Sequence, residues 1–157
     1  MPEFRYFGDF AVGEEIDLGS YPVLAREIIE FAEEYDPAPY HLSEEGGRAS
    51  MLGQLSASGW HTCAMMMSMM CDAFLSNSSG QGTPGIDFCK WLAPVGAGDI
   101  LTGKAIVRQT RRSASRPSIG FVLLRFEMFG GAGNMVLACE ASIMFGLGNP
   151  PAPARPT

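Results

Sequence analysis

Asp36 and His41 lie five positions apart in the stretch Asp-Pro-Ala-Pro-Tyr-His, and their side chains could carry out acid–base chemistry. An aspartate can hold and polarise a water molecule while an imidazole relays a proton near neutral pH, which contributes roughly 10²- to 10⁴-fold to a rate. Pro37 and Pro39 stiffen the stretch, because proline fixes its own φ and restricts the residue before it. A structural role also fits, in which Asp36 ends the preceding helix and His41 binds a backbone carbonyl. Spacing alone leaves both interpretations open.

A helix and an irregular segment flank these two residues. The apolar positions of residues 26–35 recur at the spacing of a short amphipathic helix, which would end at the prolines. Residues 36–41 are therefore predicted to form a rigid loop, a common place for catalytic groups. Residues 43–45 could begin another helical turn, but Gly46 and Gly47 would weaken it, and the chain that follows looks irregular.

The next predicted helix begins at Trp60. Its apolar residues follow helical spacing, and methionines occupy much of the opposite face, so this helix should be nearly surrounded by protein. The flexible methionine side chains of residues 65–70 could line an apolar tunnel, but the helical spacing favours a role as core residues.

The second half of the chain has the pattern of β-strands. Turn signals separate four segments, which predict an antiparallel meander, and a weaker alternation at residues 15–24 adds a further strand. The last segment has one apolar face, as expected of a sheet covered on one side. We predict an α+β domain with an antiparallel sheet of five or six strands wrapped around the long central helix. The four segments are 86–92, 100–109, 118–129 and 135–145.

Length, charge and cysteine content limit the possible partners. With 157 residues, the chain is expected to form one domain, residues 1–147, followed by a disordered Pro/Ala-rich tail, residues 148–157. The net charge of -6 provides no basic surface for nucleic acid or an anionic membrane. No signal peptide or apolar run of about 18 residues is apparent. The four cysteines include no Cys-x-x-Cys pair, which favours free thiols in a reducing cytoplasm and no metal site.

Three stretches of the sequence resemble the MaoC-like dehydratases. Residues 31–45 contain the Asp-x-x-Pro-x-His pattern of the family's hydratase loop. Residues 57–62, Ala-Ser-Gly-Trp-His-Thr, match the start of its central helix, and residues 91–99, Trp-Leu-Ala-Pro-Val-Gly-Ala-Gly-Asp, match a segment before a long strand. The resemblance covers most of residues 6–146, with the matches in the family's order and spacing.

The resemblance implies a hot-dog fold, a homodimer or a higher assembly of dimers, and reversible hydration of a 2-enoyl thioester, usually on coenzyme A, to the (R)-3-hydroxyacyl product. Asp36 and His41 would hold the water that adds at C3 while a proton is delivered to C2. The backbone N–H of Gly59 would bind the thioester oxygen, with Ser58 as a neighbouring cap or accessory contact. Gly59 could also simply permit close packing at the helix start. Coenzyme A would enter as part of the substrate, with no further cofactor.

Other residues and functions stay outside this interpretation. No acidic or nucleophilic residue lies at a sequence spacing from His61 that would indicate a catalytic pair, which favours a structural or surface role. Arg108, Arg111, Arg112 and Arg116 could meet coenzyme A phosphates, although a solvated basic turn is favoured. The absence of a Gly-rich phosphate loop leaves nucleotide-dependent redox or kinase activity without support. Two other functions remain open: a hot-dog acyl-CoA thioesterase and a non-catalytic acyl-thioester binding subunit.

Overall fold

The elements of the fold are described by a computed structural model for residues 3–148. In chain order they are a 3-10 helix (Phe7–Asp9), β1 (Glu15–Pro22), α1 (Ala25–Tyr35), α2 (Pro39–Leu42), α3 (Glu44–Arg48), α4 (Gly59–Ala73), a 3-10 helix (Leu75–Asn77), β2 (Phe88–Trp91), β3 (Ile100–Arg112), β4 (Ile119–Phe129) and β5 (Met135–Gly146). All but Gly148 of the predicted tail, residues 148–157, lies outside the described residues, and the domain boundary after residue 147 stays a prediction. No helix in the described part of the chain is both long and apolar enough to cross a membrane.

The strands form one antiparallel sheet in the order β1-β3-β4-β5-β2. β3, β4 and β5 follow one another as the predicted meander. The predicted place of β2 was wrong, because this strand pairs with β5 at the far edge, with Cys89 opposite Cys139. The sequence therefore predicted the strands but not the position of β2 in the sheet.

Backbone hydrogen bonds on both sides of β2 account for this position. Before β2, the backbone of residues 81–87 binds along the edge of β5. After β2, residues 92–99 pass the start of α4 on their way to β3, and the carbonyl of Val95 accepts the N–H of Ala57 at 2.8 Å. The turn signals at residues 94–99 thus belong to a crossover and not to a hairpin. This crossover brings residues 92–95 next to the N-terminus of α4.

α4 covers one face of the sheet, as predicted. Its residues Met65, Met66, Met69 and Met70 are each at most 5% exposed and belong to the hydrophobic core. Their prediction as core residues is confirmed. Trp60 is 62% exposed, however, so the helix is less completely surrounded than its composition predicted.

Charged side chains lie on the opposite face of the sheet. Lys104 lies 3.3 Å from Glu15 and 3.8 Å from Glu127, while Arg125 lies 3.2 Å from Glu127 and 3.7 Å from Glu140. Such partly solvated ion pairs contribute only about 0–1 kcal/mol each, but they suit a face that no helix of residues 3–148 covers. The one-sided sheet that the pattern of the last strand predicted is therefore confirmed.

Candidate active site

Asp36 stands at the point where α1 ends. Its N–H still donates to the carbonyl of Ala32 at 3.0 Å, but its φ of -152° and ψ of 71° take the backbone out of the helix. Pro37 follows directly, and a residue before proline is disfavoured in the helical region. Residues 36–38 therefore form the stiff connection that the prolines predicted.

His41 lies in a short helix, where the sequence predicted a loop. Pro39 is the first residue of α2, a position that suits proline because its φ is already helical and its missing N–H would have no partner there. The loop prediction was therefore wrong for residues 39–41, since the second proline begins a helical turn. This turn buries the His41 side chain, which is 6% exposed.

The side chains of Asp36 and His41 face each other. Asp36 Oδ2 lies 3.4 Å from His41 Nε2, and His41 Nδ1 lies 2.6 Å from the carbonyl oxygen of Ser56. Because a carbonyl can only accept, the proton belongs on Nδ1, and Nε2 of the neutral ring is an acceptor. Two acceptors at this separation can both accept hydrogen bonds from one water molecule. The arrangement is therefore suited to holding a water by both of its hydrogens.

The structural roles that the sequence left open for this pair are present as well. Asp36 does end α1, and His41 does bind a backbone carbonyl. These roles use the backbone of Asp36 and the Nδ1 atom of His41. The carboxylate and Nε2 are left for chemistry, so the structural and chemical interpretations are compatible.

Ser58 holds the carboxylate of Asp36 at the same oxygen that faces His41. The residue is fully buried, and its hydroxyl donates to Asp36 Oδ2 at 2.6 Å, a length typical of a bond to an ionised acceptor. Ser58 is the N-cap residue of α4, yet its side chain makes no capping bond. Of the two roles expected for Ser58, the side chain does not make the capping bond, because its hydroxyl binds Asp36 instead.

A cleft of about 370 Å³ opens beside His41. Gly59, the first residue of α4, lines this cleft, and N–H groups in a first helical turn have no acceptor within the helix. The partial positive charge of a helix N-terminus adds to their affinity for a carbonyl or anionic oxygen. Asp36 and Ser58 are not lining residues, but Asp36 faces His41 and Ser58 directly precedes Gly59. Besides His41 and Gly59, the cleft is lined by Tyr40, Leu52, Ser56, Ala57, Thr62 and residues 91–95.

Sequence reasoning missed three residues of this site. Ser56 acts through its backbone carbonyl, which no side-chain pattern can reveal. The ring of Tyr40 packs edge-on against the ring of His41, with the ring centroids 4.5 Å apart. Trp91 lines the cleft because the crossover after β2 passes the start of α4. Only its place in the family-like stretch at residues 91–99 could have drawn attention to it.

His61 takes the structural role that the sequence favoured. Its ring stacks on that of Phe31, with centroids 4.6 Å apart and planes at 7°, and it is 7% exposed. Its Nδ1 atom has no hydrogen-bond partner among the described residues. Burial lowers the pKa of this imidazole, and the nearby negative charge of Glu27 only partly opposes the effect. His61 is therefore a neutral packing residue between α1 and α4.

Burial of His61 should make the fold sensitive to mild acid. In the unfolded chain this histidine is protonated below about pH 6.5, whereas the folded protein resists its protonation, so stability falls as the pH drops below that value. We expect His61→Phe, which keeps a stacked ring, to reduce this loss. Urea unfolding of the wild type and of His61→Phe between pH 7.5 and 5 would measure this loss of unfolding free energy. Equal losses of unfolding free energy in the two proteins would contradict the assignment.

Two of the four cysteines are held as protonated thiols. All four are free, and the Sγ atoms of Cys63 and Cys89 lie 3.7 Å apart between α4 and β2. Burial, with a smaller contribution from Cys89, raises the pKa of Cys63 and that of Cys139 to about 12, so both remain protonated thiols. Among residues 3–148, no group of three His, Cys, Asp or Glu side chains is arranged to hold a metal ion.

The basic cluster lies at the end of β3 that is remote from the crossover. All four arginine side chains are exposed, and the Arg111 guanidinium lies 4.2 Å from the centre of the Phe121 ring. Exposure and this cation–π contact agree with the solvated turn that the sequence favoured. The cluster consists of Arg108, Arg111, Arg112 and Arg116.

Comparisons with known proteins identify the family of the chain. Residues 9–119 match the family described as MaoC like domain. The MaoC-like dehydratase from Rhodospirillum rubrum is 32% identical, with a TM-score of 0.82 over 90% of this chain and 97% of that one. A monoamine oxidase regulatory protein from Archaeoglobus fulgius is 24% identical, with a TM-score of 0.83 over 94% and 100% of the two chains.

A third similar structure, the R-hydratase PhaJ1 from Pseudomonas aeruginosa, is 20% identical with a TM-score of 0.73 over 97% of this chain and 94% of that one. At such identities the second and third structures support the fold alone. No curated protein matches the chain significantly. The family match spans well over half of the sequence, and the dehydratase from R. rubrum agrees with it over nearly its whole length. The chain therefore belongs to the MaoC-like family and has its hot-dog fold.

Proposed function

We propose that the protein is a hydro-lyase that reversibly adds water to a 2-enoyl thioester of coenzyme A and forms the (R)-3-hydroxyacyl thioester. The observation that carries this proposal is the convergence of Asp36 Oδ2 and His41 Nε2, 3.4 Å apart, with each side chain held by a further hydrogen bond. The hydroxyl of Ser58 holds the carboxylate, and the carbonyl of Ser56 holds the imidazole. Preorganisation of this kind favours one position for a bound water.

In the proposed reaction, a water donates one hydrogen bond to Asp36 and the other to His41. As its oxygen forms a bond to C3 of the enoyl group, one water proton passes to the Asp36/His41 pair and C2 gains a proton from the same side. The electron pair of the C2–C3 double bond moves onto the thioester oxygen before C2 is protonated. The N–H of Gly59 at the start of α4 stabilises the negative charge on that oxygen.

The test is to mix purified protein with crotonyl-CoA and to follow the loss of enoyl-thioester absorbance. Chiral analysis of the product should give (R)-3-hydroxybutyryl-CoA. A parallel assay for free thiol separates hydration from thioester hydrolysis. Hydration without thiol release is the expected result.

Other outcomes of this assay would overturn the proposal. Thiol release without hydration would identify a thioesterase. Tight binding of acyl-CoA without turnover, across acyl groups of different length and branching, would identify a binding subunit. The (S) product would contradict the proposed face of addition.

Ser58→Ala tests how the carboxylate of Asp36 is held. Loss of one hydrogen bond to a charged group corresponds to about 1.5–3 kcal/mol, so we expect kcat to fall by roughly 10- to 100-fold with little change in KM. The matched control is Ser68→Ala, because Ser68 lies exposed on the same helix. Steady-state kinetics on crotonyl-CoA provides the measurement. An unchanged kcat in Ser58→Ala would show that this contact is not used in turnover.

We also propose a homodimer in the cytoplasm. β2 stands at one edge of the sheet, where its outer side has no partner strand among residues 3–148. Trp60, Trp91 and Leu92 are exposed beside this edge and the cleft, a cluster that a second copy could cover. The free thiols fit a reducing compartment. Light scattering after size-exclusion chromatography should give twice the chain mass, and a monomer at micromolar concentration would contradict the dimer.

A further inference from the structure

Trp91 contacts the first turn of α4 at the glycine assigned to bind the thioester oxygen. It is the last residue of β2, and its indole Nε1–H donates to the carbonyl oxygen of Gly59 at 2.8 Å. In an α-helix this carbonyl also accepts from the N–H four residues later. The indole therefore adds a second donor that ties the edge strand to the start of the helix.

The same indole accounts for the glycine at position 59. A Cβ atom on Gly59 would lie 2.6 Å from Cε2 of Trp91 and 2.8 Å from both Cδ2 and Nε1. The φ of Gly59 is not positive, so its backbone conformation alone does not require glycine. Close contact with the ring is what excludes a side chain. Because glycine is otherwise the most flexible residue, a ring packed on it restricts the orientation of its peptide groups.

The peptide group between Ser58 and Gly59 has a fixed residue on each side. On one side, the Ser58 hydroxyl is bound to Asp36. On the other, the Trp91 ring covers Gly59 and its indole N–H binds the Gly59 carbonyl of the next peptide group. The N–H of Gly59 belongs to this peptide group. A donor contributes most to catalysis when its direction is fixed before the reaction.

Trp91 also forms part of the cleft wall, together with His41 and Tyr40. Trp60 supports the indole edge-on, with ring centroids 5.2 Å apart and planes at 76°. Trp60 does not line the cleft. The chain therefore offers two neighbouring tryptophan rings, of which Trp91 lines the cleft and Trp60 does not.

On the basis of the proposed function, we infer that Trp91 is a positioning residue for the oxyanion site: its indole fixes the Gly59 peptide and forms the wall along which the thioester lies. Phenylalanine at this position would keep most of the ring but lose the N–H donor. The resulting freedom of Gly59 would affect the transition state, in which the oxygen carries charge, more than it affects binding of the ground state.

The first experiment compares Trp91→Phe with Trp60→Phe. We expect Trp91→Phe to lower kcat on crotonyl-CoA about 10-fold while the Kd for butyryl-CoA, which cannot be hydrated, changes by less than about threefold. Trp60→Phe should keep kcat within about twofold of wild type, because it removes no contact to Gly59. Equal kcat values for Trp91→Phe and wild type would overturn the inference.

A double-mutant cycle tests the contact between the ring and the glycine. Gly59→Ala should lower kcat by at least about 100-fold when Trp91 is present, but much less when Trp91→Ala has removed the ring. Its effect on the Tm should depend on Trp91 in the same way. Equal effects of Gly59→Ala in both backgrounds would overturn the inference.

The two proposals fail in different ways. Absence of hydration by the wild-type protein would reject the proposed function and, with it, the role of Trp91 in turnover. A wild-type protein that hydrates crotonyl-CoA while Trp91→Phe matches it would reject only the role of Trp91. The Tm cycle tests the ring–glycine contact in either case.

Discussion

Asp36→Asn and His41→Ala are each expected to lower kcat for crotonyl-CoA hydration by at least about 10³-fold. Asparagine can still accept the Ser58 hydroxyl, but it neither carries the negative charge nor takes up a proton. Alanine at position 41 removes the Nε2 acceptor that faces the carboxylate. Since both groups act on one water, the double variant should be scarcely slower than either single variant. Steady-state kinetics of the three variants would measure this lack of additivity.

Two matched substitutions control for a general effect of losing an aspartate or a histidine. Asp72 lies exposed on α4, and His61 is buried against Phe31. Asp72→Asn and His61→Gln should keep kcat within about threefold of wild type. Thermal unfolding of all variants would show that they remain folded. A single variant at position 36 or 41 that retains more than about a tenth of wild-type kcat would contradict the proposed acid–base pair.

The sequence predicted the parts of the fold that local periodicity determines. Helical spacing predicted α1 and α4, and alternating apolar residues predicted β3, β4 and β5 to within a few residues. The position of β2 could not be predicted in this way. Backbone hydrogen bonds of residues 81–87 and of Val95 direct this strand to the far edge, and backbone groups look alike in every sequence. The cleft depends on the same crossover, so its wall was not predicted either.

The site was predicted at the level of residues, and the structure adds their connections. Asp36 and His41 were identified from their chemistry and from a family-like motif, and they do face each other. The bond from Ser58 to Asp36 joins residues 22 positions apart, and the bond from His41 to the Ser56 carbonyl joins residues 15 apart. Contacts between such distant residues appear only when the fold brings α1, α2 and the start of α4 together.

Gly46 and Gly47 show how a residue can be interpreted wrongly without its surroundings. By helix propensity they predicted a weak or broken turn, yet α3 runs through both of them. A Cβ on Gly46 would lie under 3.0 Å from the carbonyl group of Pro39, and one on Gly47 would collide in the same way with the backbone of Gln54 and Leu55. These glycines are therefore required by close backbone approach, which outweighs their poor propensity.

Gly47→Ala is accordingly expected to destabilise the protein, whereas helix propensity alone would have alanine stabilise it by about 1 kcal/mol. The added methyl group meets backbone atoms of Gln54 and Leu55, which cannot rotate away as a side chain could. Overpacking of this kind costs about 1–3 kcal/mol, and the rigid partner favours the upper end. For a chain of this length, that corresponds to a Tm lower by about 6–12 °C. Thermal unfolding of the variant and the wild type would measure the shift.

The same substitution should also reach the site, because the segment that the methyl group displaces leads directly to Ser56, whose carbonyl holds His41. We therefore expect Gly47→Ala to lower kcat even at temperatures where the variant is fully folded. Gly85→Ala is the matched control, since a Cβ at that exposed position meets nothing within 4 Å. It should leave the Tm within about 2 °C of wild type. A Gly47→Ala protein with a raised Tm would show that propensity outweighs the backbone contact, and would contradict the packing of α3 against residues 54 and 55.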